Sequence, residues 1–305
     1  MYKPVKKILR DLLINCNPPG HISRNYRDIP GLLDQAELDQ IDAGDTYSGR
    51  VEIARHYMIP WLDRARSLSG CRVLEIGCGM GASTVAIAEQ GCHVTAVDIS
   101  QESLQFAEER CKSLGLPVDF LVANATEVSR LLSGQKFDFI IFYASLEHMT
   151  HEERISSMRE TWGMLNKGDF WCIAGTPNRL WPYDYHTAYL PFYYWLSDDL
   201  AFAYSNRSGR SGFHELYKEP TPDNMLHFLR RGRGLSYHEF DLAFGSISEL
   251  DVVSCMGIEW QQLRWFNKWR SRFTAEHHCE SFLNRFAPHI HRGFFRKSLD
   301  LIIRK

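Results

Sequence analysis

The pattern of hydrophobic and polar positions predicts short buried strands that alternate with amphipathic helices. Runs of apolar residues end in polar or glycine-containing turns, and between them apolar residues recur at helical spacing. Strands that alternate with helices in this way favour an α/β fold built around a parallel sheet. In chain order, the predicted strands are 72–76, 92–98, 118–123, 137–143, 169–175, 250–256 and 299–303.

The first predicted strand runs directly into a glycine-rich turn, which opens a Rossmann-like unit. Glycines allow the backbone to approach a ligand closely, and the following helix N-terminus supplies free N–H groups. The letters Gly77-x-Gly79-x-x-Ala82 also satisfy the dinucleotide fingerprint, which holds a pyrophosphate. Glu75 argues against a pyrophosphate, because its carboxylate would face two negatively charged phosphates. It suits a cationic ligand group, such as the amino group of S-adenosylmethionine (SAM).

The second predicted strand ends in an acid, Asp98, which lies 21 residues after Gly77. A ribose-binding carboxylate belongs at this place in a Rossmann-like unit. The two vicinal ribose hydroxyls are donors that a bidentate acceptor can hold. Ser100 then predicts the N-cap of a helix over residues 101–113.

Glu75 and the three alternate glycines resemble motif I of the class I SAM-dependent methyltransferases, E/D-x-G-x-G-x-G, at every fixed position. The strand over 137–143 and its turn, which ends in Glu147-His148, are similar to motif IV of the subgroup containing the ubiquinone and menaquinone methyltransferases. The resemblance covers residues 70–180. It implies a Rossmann-like, seven-stranded, mostly parallel sheet with helices on both faces and an antiparallel last strand. It also implies SAM as the cofactor and S-adenosylhomocysteine (SAH) as the product.

The resemblance further implies which residues bind the cofactor. Relatives often carry an acid at the position of Asn124, where it contacts the adenine amino group, and an amide oxygen can accept the same bond. Tyr47 and Arg50, on a helix predicted before the first strand, are candidates for closing over SAM. The expected cofactor-binding residues are Glu75, Gly77, Cys78, Gly79, Gly81, Asp98, Ile99, Asn124, Ala125 and Tyr143.

The regular alternation predicts four regions. Residues 1–69 are expected to form an N-terminal helical segment or cap, and 70–180 the SAM-binding core. Residues 181–249 form an insertion, and 250–305 add the last two strands with a helical insertion between them. The insertion at 181–249 leaves the carboxyl end of the fifth strand and is rich in aromatic residues. This placement favours an aromatic lid over the methyl-acceptor site, although a small satellite core is an equal alternative.

Histidines near the expected acceptor site are candidates for a general base. Methyl transfer is an in-line displacement, and a hydroxyl acceptor requires a base as the new bond forms. His148 follows motif IV, while His186 lies in the predicted lid, where Asp184 could orient its ring. His214 has only its lid location in its favour. We expect His186 to be the base ahead of His148, although either histidine could simply fix a loop.

Composition changes this picture little. The net charge of −2 gives no overall field that favours nucleic acid. Eight cysteines without a C-x-x-C pair, no signal peptide and no long apolar run predict a reduced, cytoplasmic protein. His277-His278-Cys279 and His289-x-His291 lack a complete ligand set at a standard spacing, so no metal is expected.

Two basic segments leave alternatives open. The R-R-G-R-G segment over residues 230–234 is expected to be a solvated loop or a place that holds an anionic substrate. Trp265, Trp269 and Phe273 would share one face of a helix that also carries basic residues. Such a helix could lie at a membrane interface, but packing against the core is the favoured interpretation.

These features together favour a SAM-dependent methyltransferase that acts on a hydroxyl group. The expected acceptor is a small molecule or a saccharide, free or lipid-linked. N- or C-methylation of a lipid or quinone-like acceptor is the alternative among enzymes. A non-catalytic subunit that binds SAM or SAH is the alternative of another class, and a dinucleotide-dependent oxidoreductase is disfavoured by Glu75.

Overall fold

One seven-stranded sheet organises the computed structural model, which describes residues 47–210, 213, 217–256 and 275–305. The strand order is β3-β2-β1-β4-β5-β7-β6. Strands β1 to β5 pair in parallel, whereas β7 is antiparallel to both β5 and β6. This confirms the predicted fold, including its antiparallel last strand. The strands are β1 (Arg72–Ile76), β2 (His93–Asp98), β3 (Val118–Val122), β4 (Phe137–Tyr143), β5 (Leu165–Pro177), β6 (Asp251–Cys255) and β7 (Ser298–Arg304).

Helices connect the strands and cover the sheet. Before β1, a π-helical turn over Ala54–Met58 interrupts the helical segment, and Pro60 then lies in the first turn of the next α-helix. Proline has no N–H to donate to the preceding turn, which fits its position directly after the π-helical turn. None of the described helices is long and apolar enough to cross a membrane. The α-helices are α1 (Tyr47–Ile53), α2 (Ile59–Ala65), α3 (Ala82–Ala88), α4 (Gln101–Ser113), α5 (Val128–Leu131), α6 (His151–Gly163), α7 (Asp198–Tyr204), α8 (Pro222–Arg230), α9 (Tyr237–Phe244) and α10 (Ala275–Phe286).

Strand β5 carries the two main hydrophobic cores on its opposite faces. Trp171 packs into one core, and its neighbours Phe170 and Cys172 pack into the other. This alternation follows from the two-residue period of a strand that is buried on both faces. The strand is longer than the predicted 169–175, because β4 and β7 pair with it on both sides over most of its length.

The aromatic insertion builds a third core of its own. Tyr193, Phe202 and Phe228 are buried in it together, with ring centroids of Phe202 and Phe228 5.4 Å apart. Phe192 and Trp195, in contrast, are exposed. The satellite core is therefore present, and some of the aromatic residues remain outside it on the surface of the insertion.

The third glycine of the turn offers a test of the packing that holds α3 in place. A Cβ atom on Gly81 would lie 2.8 Å from the Cβ of Ala107 on α4, and its φ is +81°. Gly134 has a similar φ of +79° but no atom within 4 Å of its Cβ position. We expect Gly81→Ala to lower the free energy of unfolding by about 1–3 kcal/mol more than Gly134→Ala, because overpacking adds to backbone strain. Urea denaturation measures both changes, and equal losses would show that this close approach is not required.

Candidate active site

The glycine turn after β1 is built by backbone bonds and close approaches. The N–H groups of Gly77 and Cys78 both donate to the Val97 carbonyl of β2, at 2.8 and 3.1 Å. Gly77 has a φ of +78°, and a Cβ atom there would lie 2.4 Å from the Cβ of Ser145. Only glycine fits at this position, so the turn stays close to the segment that follows β4. Gly79 has open space around its Cβ position, on a turn that a ligand can approach.

Glu75 is buried behind the glycine turn. One carboxylate oxygen accepts a hydrogen bond from the Ser83 hydroxyl, and the other accepts from the Thr84 hydroxyl at 2.6 Å. Burial raises the pKa of Glu75, and these hydroxyl donors oppose the shift. The carboxylate thus braces the start of α3 and is not among the residues that line the adjacent cleft. A direct contact between Glu75 and a cofactor amino group remains a prediction.

Asp98 holds the other side of the turn. One of its carboxylate oxygens accepts from the N–H of Gly79 at 2.7 Å, and the other accepts from the N–H of Ser100 at 2.9 Å. Ser100 caps α4 as predicted, since its hydroxyl accepts from the N–H of Ser103. Because each carboxylate oxygen has a second lone pair, Asp98 can also accept from ligand hydroxyls.

A cleft of about 260 Å³ opens where β1, β2, β3 and β4 end. This edge of a parallel sheet is where open α/β folds bind ligands. Five of the residues predicted to bind the cofactor line it, namely Gly77, Asp98, Ile99, Asn124 and Ala125. Its full lining is Ile76, Gly77, Val97, Asp98, Ile99, Ala123, Asn124, Ala125, Ala144, Ser145, His148, Met149, Glu153 and Arg230.

The predicted role of Asn124 changes in the structure. Its side-chain oxygen accepts bonds from the N–H and the hydroxyl of Thr126, both at 3.0 Å, and so caps a short 3₁₀ helix. The oxygen expected to accept from an adenine amino group is therefore occupied. The amide nitrogen of Asn124 remains as a donor that can face a ring nitrogen. Ile99 is 62% exposed next to Asp98 and offers an apolar surface to the same cleft.

The remaining predicted cofactor residues shape the site without lining this cleft. Cys78 is buried, and that burial raises the pKa of its thiol. Gly81 packs against α4. Burial also raises the pKa of Tyr143 to about 12. The negative charge of Asp300 adds to this increase, and the positive charge of Arg50 opposes it. Arg50 is exposed on α1 near Tyr143, and the Tyr47 side chain lies outside the described residues.

Glu147, His148 and His186 converge beside the cleft. A 3₁₀ turn after β4 supplies the first two, and the insertion supplies His186. The two imidazole rings are 5.4 Å apart between centroids, and potential ligand atoms of all three residues lie within 4.8 Å of one another. Glu147 is fully buried; its Oε2 accepts from the Thr176 hydroxyl at 2.9 Å, while its Oε1 has no hydrogen-bond partner. A buried oxygen without a donor marks a place where a ligand can supply one.

Hydrogen bonds to acceptors determine the tautomers of both histidines. Nδ1 of His148 lies 3.0 Å from the Arg230 carbonyl, which can only accept, so this nitrogen carries the proton. The Thr187 hydroxyl donates to the Gly232 carbonyl and is therefore free to accept from Nδ1 of His186 at 3.4 Å. In both rings Nε2 keeps its lone pair. Burial lowers the pKa of His186, partly opposed by the charge of Glu147, so its ring is neutral at neutral pH.

Lone pairs on two imidazoles and a carboxylate can perform two kinds of chemistry. They can accept a proton from a hydroxyl group, as general bases do. The same donor set could hold a divalent metal ion, since zinc sites use histidine nitrogens and carboxylate oxygens. Among the described residues, this is the one group of three such side chains close enough to do so.

The predicted pair of Asp184 and His186 requires correction. The Asp184 carboxylate is fully buried and accepts from the N–H groups of His186 at 2.9 Å, Thr187 at 2.7 Å and Ala188 at 2.5 Å. It therefore holds the backbone turn and not the imidazole ring. The carboxylate beside the ring is Glu147, which lies 39 positions earlier in the chain.

Segment 230–234 is mostly buried, so the expectation of a solvated loop is wrong. Gly232 has a φ of +120°, and a Cβ atom there would lie 2.6 Å from Cε1 of His186. The N–H of Arg233 donates to the Glu147 carbonyl at 2.9 Å, and its side chain is buried. Arg230 is exposed at the rim of the cleft, where it pairs with Glu153 at 2.6 Å. The segment therefore forms the wall behind the two histidines.

Several sequence candidates do not reach this site or cannot be placed. His214 and the helix predicted from Trp265, Trp269 and Phe273 lie outside the described residues. His277 and His278 lie on α10, and they form no three-donor group with the described residues around them. Glu147 belongs to the motif IV turn, but no local pattern predicts its place beside His186, because its burial and its neighbours come from distant parts of the chain.

Comparison with known proteins adds one domain assignment. Residues 73–168 match the family described as a methyltransferase domain. The ubiquinone biosynthesis O-methyltransferase of Aromatoleum aromaticum is 37% identical over 91 residues, which are 30% of this chain and 38% of that protein. Its namesake from Bordetella avium is 28% identical over 155 residues, which are 48% of this chain and 63% of that protein. The chain thus spans less than two thirds of the length of these relatives.

One solved structure with a similar fold is magnesium protoporphyrin IX methyltransferase from Synechocystis PCC 6803 with bound SAM. The two sequences are 19% identical, and the match covers 57% of this chain and 77% of that chain with a TM-score of 0.36. A score of this size supports no argument about function.

Asp98 supplies the sharpest test of the cleft as a cofactor site. We expect Asp98→Ala to weaken SAH binding at least tenfold, because it removes the acceptor that holds Gly79 and faces the cleft. Asp119→Ala, at an exposed position on the neighbouring strand β3, should leave the affinity unchanged. Isothermal titration calorimetry with SAH measures both variants. Unchanged affinity in Asp98→Ala would remove Asp98 from the site.

Proposed function

We propose that this chain, whose residues 73–168 match a family described as a methyltransferase domain, transfers the methyl group of SAM to a hydroxyl group. The proposed acceptor is a small molecule or a saccharide, free or lipid-linked. The relatives named as ubiquinone biosynthesis O-methyltransferases support oxygen as the atom that is methylated.

The observation that carries this proposal is the position of the histidines relative to the cleft. Asp98 and His148 line the same cleft of about 260 Å³, so a bound cofactor and the acceptor side are continuous. His186 lies next to His148 in the neighbouring wall. A cofactor whose ribose is held at Asp98 would direct its sulfonium toward the end of β4, where these side chains lie.

The chemistry requires a proton acceptor at this place. In the proposed step the acceptor oxygen attacks the methyl carbon of SAM as the carbon–sulfur bond breaks, which leaves SAH. The hydroxyl proton passes to Nε2 of His186, whose ring is neutral and holds its proton on Nδ1. Glu147 lies beside the ring and stabilises the positive charge that forms, as a buried carboxylate does for an imidazolium.

Transfer of a labelled methyl group tests the function directly. SAM labelled in its methyl group is incubated with the protein and with fractionated extract, and the labelled product is identified by mass spectrometry. A methyl ether in the product supports the proposal, whereas a methyl ester or label on nitrogen or carbon contradicts it. SAH binding without any transfer, across extracts that cover polar and lipid fractions, would favour a non-catalytic SAM-binding subunit. A parallel sample with EDTA shows whether the histidines act with a metal ion.

His186 is the residue on which the mechanism depends most. We expect His186→Ala to lower kcat by about 100- to 10,000-fold, the usual contribution of a general base, while SAH affinity and the melting temperature change little. His93→Ala, at an exposed position at the start of β2, is the matched control and should be as active as the unmodified protein. Full activity in His186→Ala would exclude this histidine as the base and leave His148 to be tested next.

A further inference from the structure

One arginine beside the histidines has no anion to pair with among the residues that the structure describes. Segment 230–234 contains three arginines, and two of them form ion pairs, Arg230 with Glu153 at 2.6 Å and Arg233 with Asp198 at 3.0 Å. Arg231 makes no side-chain hydrogen bond or ion pair with any described residue, and its Nε is buried without an acceptor. The contrast within one short segment is what distinguishes this side chain.

The backbone around Arg231 is held firmly, so its side chain projects from a fixed point. Its N–H donates to the Phe228 carbonyl at 3.1 Å at the end of α8. The next residue, Gly232, packs against the His186 ring and accepts a bond from the Thr187 hydroxyl. A ligand that reached this guanidinium would therefore meet it in a preorganised position.

The charge of Arg231 acts at the acceptor side of the site. Burial is the main influence on the pKa of His186 and of Tyr217, and the positive charge of Arg231 lowers both. Arg210 acts on the same two groups, and its Nη1 is anchored on the carbonyls of His186 and Thr187 at 3.0 and 2.8 Å. Arg210 is thereby fixed against the backbone of His186, and Arg231 precedes Gly232, whose backbone packs against the His186 ring.

A partly buried guanidinium without an acceptor loses solvation and gains no hydrogen bond in return. An oxyanion restores both losses, because the planar guanidinium can donate two parallel N–H bonds to the oxygens of a carboxylate or a phosphate. We propose that Arg231 binds an oxyanion of the methyl acceptor, a carboxylate or a phosphate, so that the acceptor is an acidic hydroxy compound. The anion subsite itself is argued from Arg231 alone. That its ligand is the methyl acceptor rests on the proposed function.

Binding of small anions to the SAH complex tests the subsite without any turnover. The probes are benzoate, inorganic phosphate and benzamide, which has the shape of benzoate without its charge, each titrated calorimetrically into protein saturated with SAH. We expect saturable binding of at least one anion, no comparable binding of benzamide, and a loss of at least tenfold in Arg231→Gln. Tighter benzoate binding assigns the subsite to a carboxylate, and tighter phosphate binding assigns it to a phosphate.

Two further variants separate a lost contact from a disturbed fold. Arg231→Lys keeps the charge without the planar fork and should retain part of the affinity. Arg207→Gln removes an exposed arginine of the same insertion and should bind the anion as the unmodified protein does. Equal anion affinity in Arg231→Gln, equal binding of benzamide, or no saturable anion binding by the unmodified protein would each overturn the subsite. Anion binding by a protein that transfers no methyl group would refute the proposed function and leave the subsite standing.

Discussion

The arrangement of the site around Glu147, His148 and His186 depends on one buried guanidinium, that of Arg154 on α6. It donates from Nε to the Leu146 carbonyl at 2.8 Å, and from Nη2 to the carbonyls of Glu147 at 3.0 Å and Arg233 at 2.7 Å. Its side chain is 1% exposed, so water cannot replace these bonds. Arg154 therefore joins the turn after β4 to segment 230–234, and this junction brings residues of the core and of the insertion to one place.

The consequence of this junction is a set of acceptors that the protein itself does not satisfy. Arg154 donates to the backbone carbonyls of Glu147 and Arg233, and the N–H of Arg233 also donates to the Glu147 carbonyl. The Thr176 hydroxyl donates to one carboxylate oxygen of Glu147. The other oxygen of Glu147 and Nε2 of both histidines accept no hydrogen bond from a described residue. These lone pairs suit a ligand that brings its own proton, such as a hydroxyl acceptor.

The cofactor side could be predicted from the sequence because its determinants are local. Strand β1, the glycines and Asp98 lie within 27 residues, and the carboxyl ends of parallel strands meet by the topology alone. Helix start signals were equally local, as the Ser100 cap shows. Even here, the role of the Asn124 side-chain oxygen could not be predicted. It accepts hydrogen bonds from Thr126, and this depends on a side-chain rotamer that no sequence pattern reveals.

The acceptor side could not be predicted in the same way, because its contacts join distant positions. The short separation of two residues favours Asp184 as a partner of the His186 ring. At that separation, however, an aspartate side chain commonly accepts from backbone N–H groups of a turn, as Asp184 does. Arg233 shows the same limit, because the composition of its segment predicts exposure, whereas its burial depends on contacts with Arg154 and Glu147.

This difference between the two sides has a consequence for how the chain would evolve a new acceptor. If the proposed function holds, substitutions within the insertion at 181–249, at Arg231 for example, change the acceptor wall and leave Asp98 and the glycine turn unaltered. The family match covers only residues 73–168, which contain the Glu147-His148 turn and every residue that lines the cleft except Arg230, but not His186. Similarity within the domain therefore bears on the proposed cofactor site. Under the proposed function, side chains that lie beyond the matched residues select the acceptor.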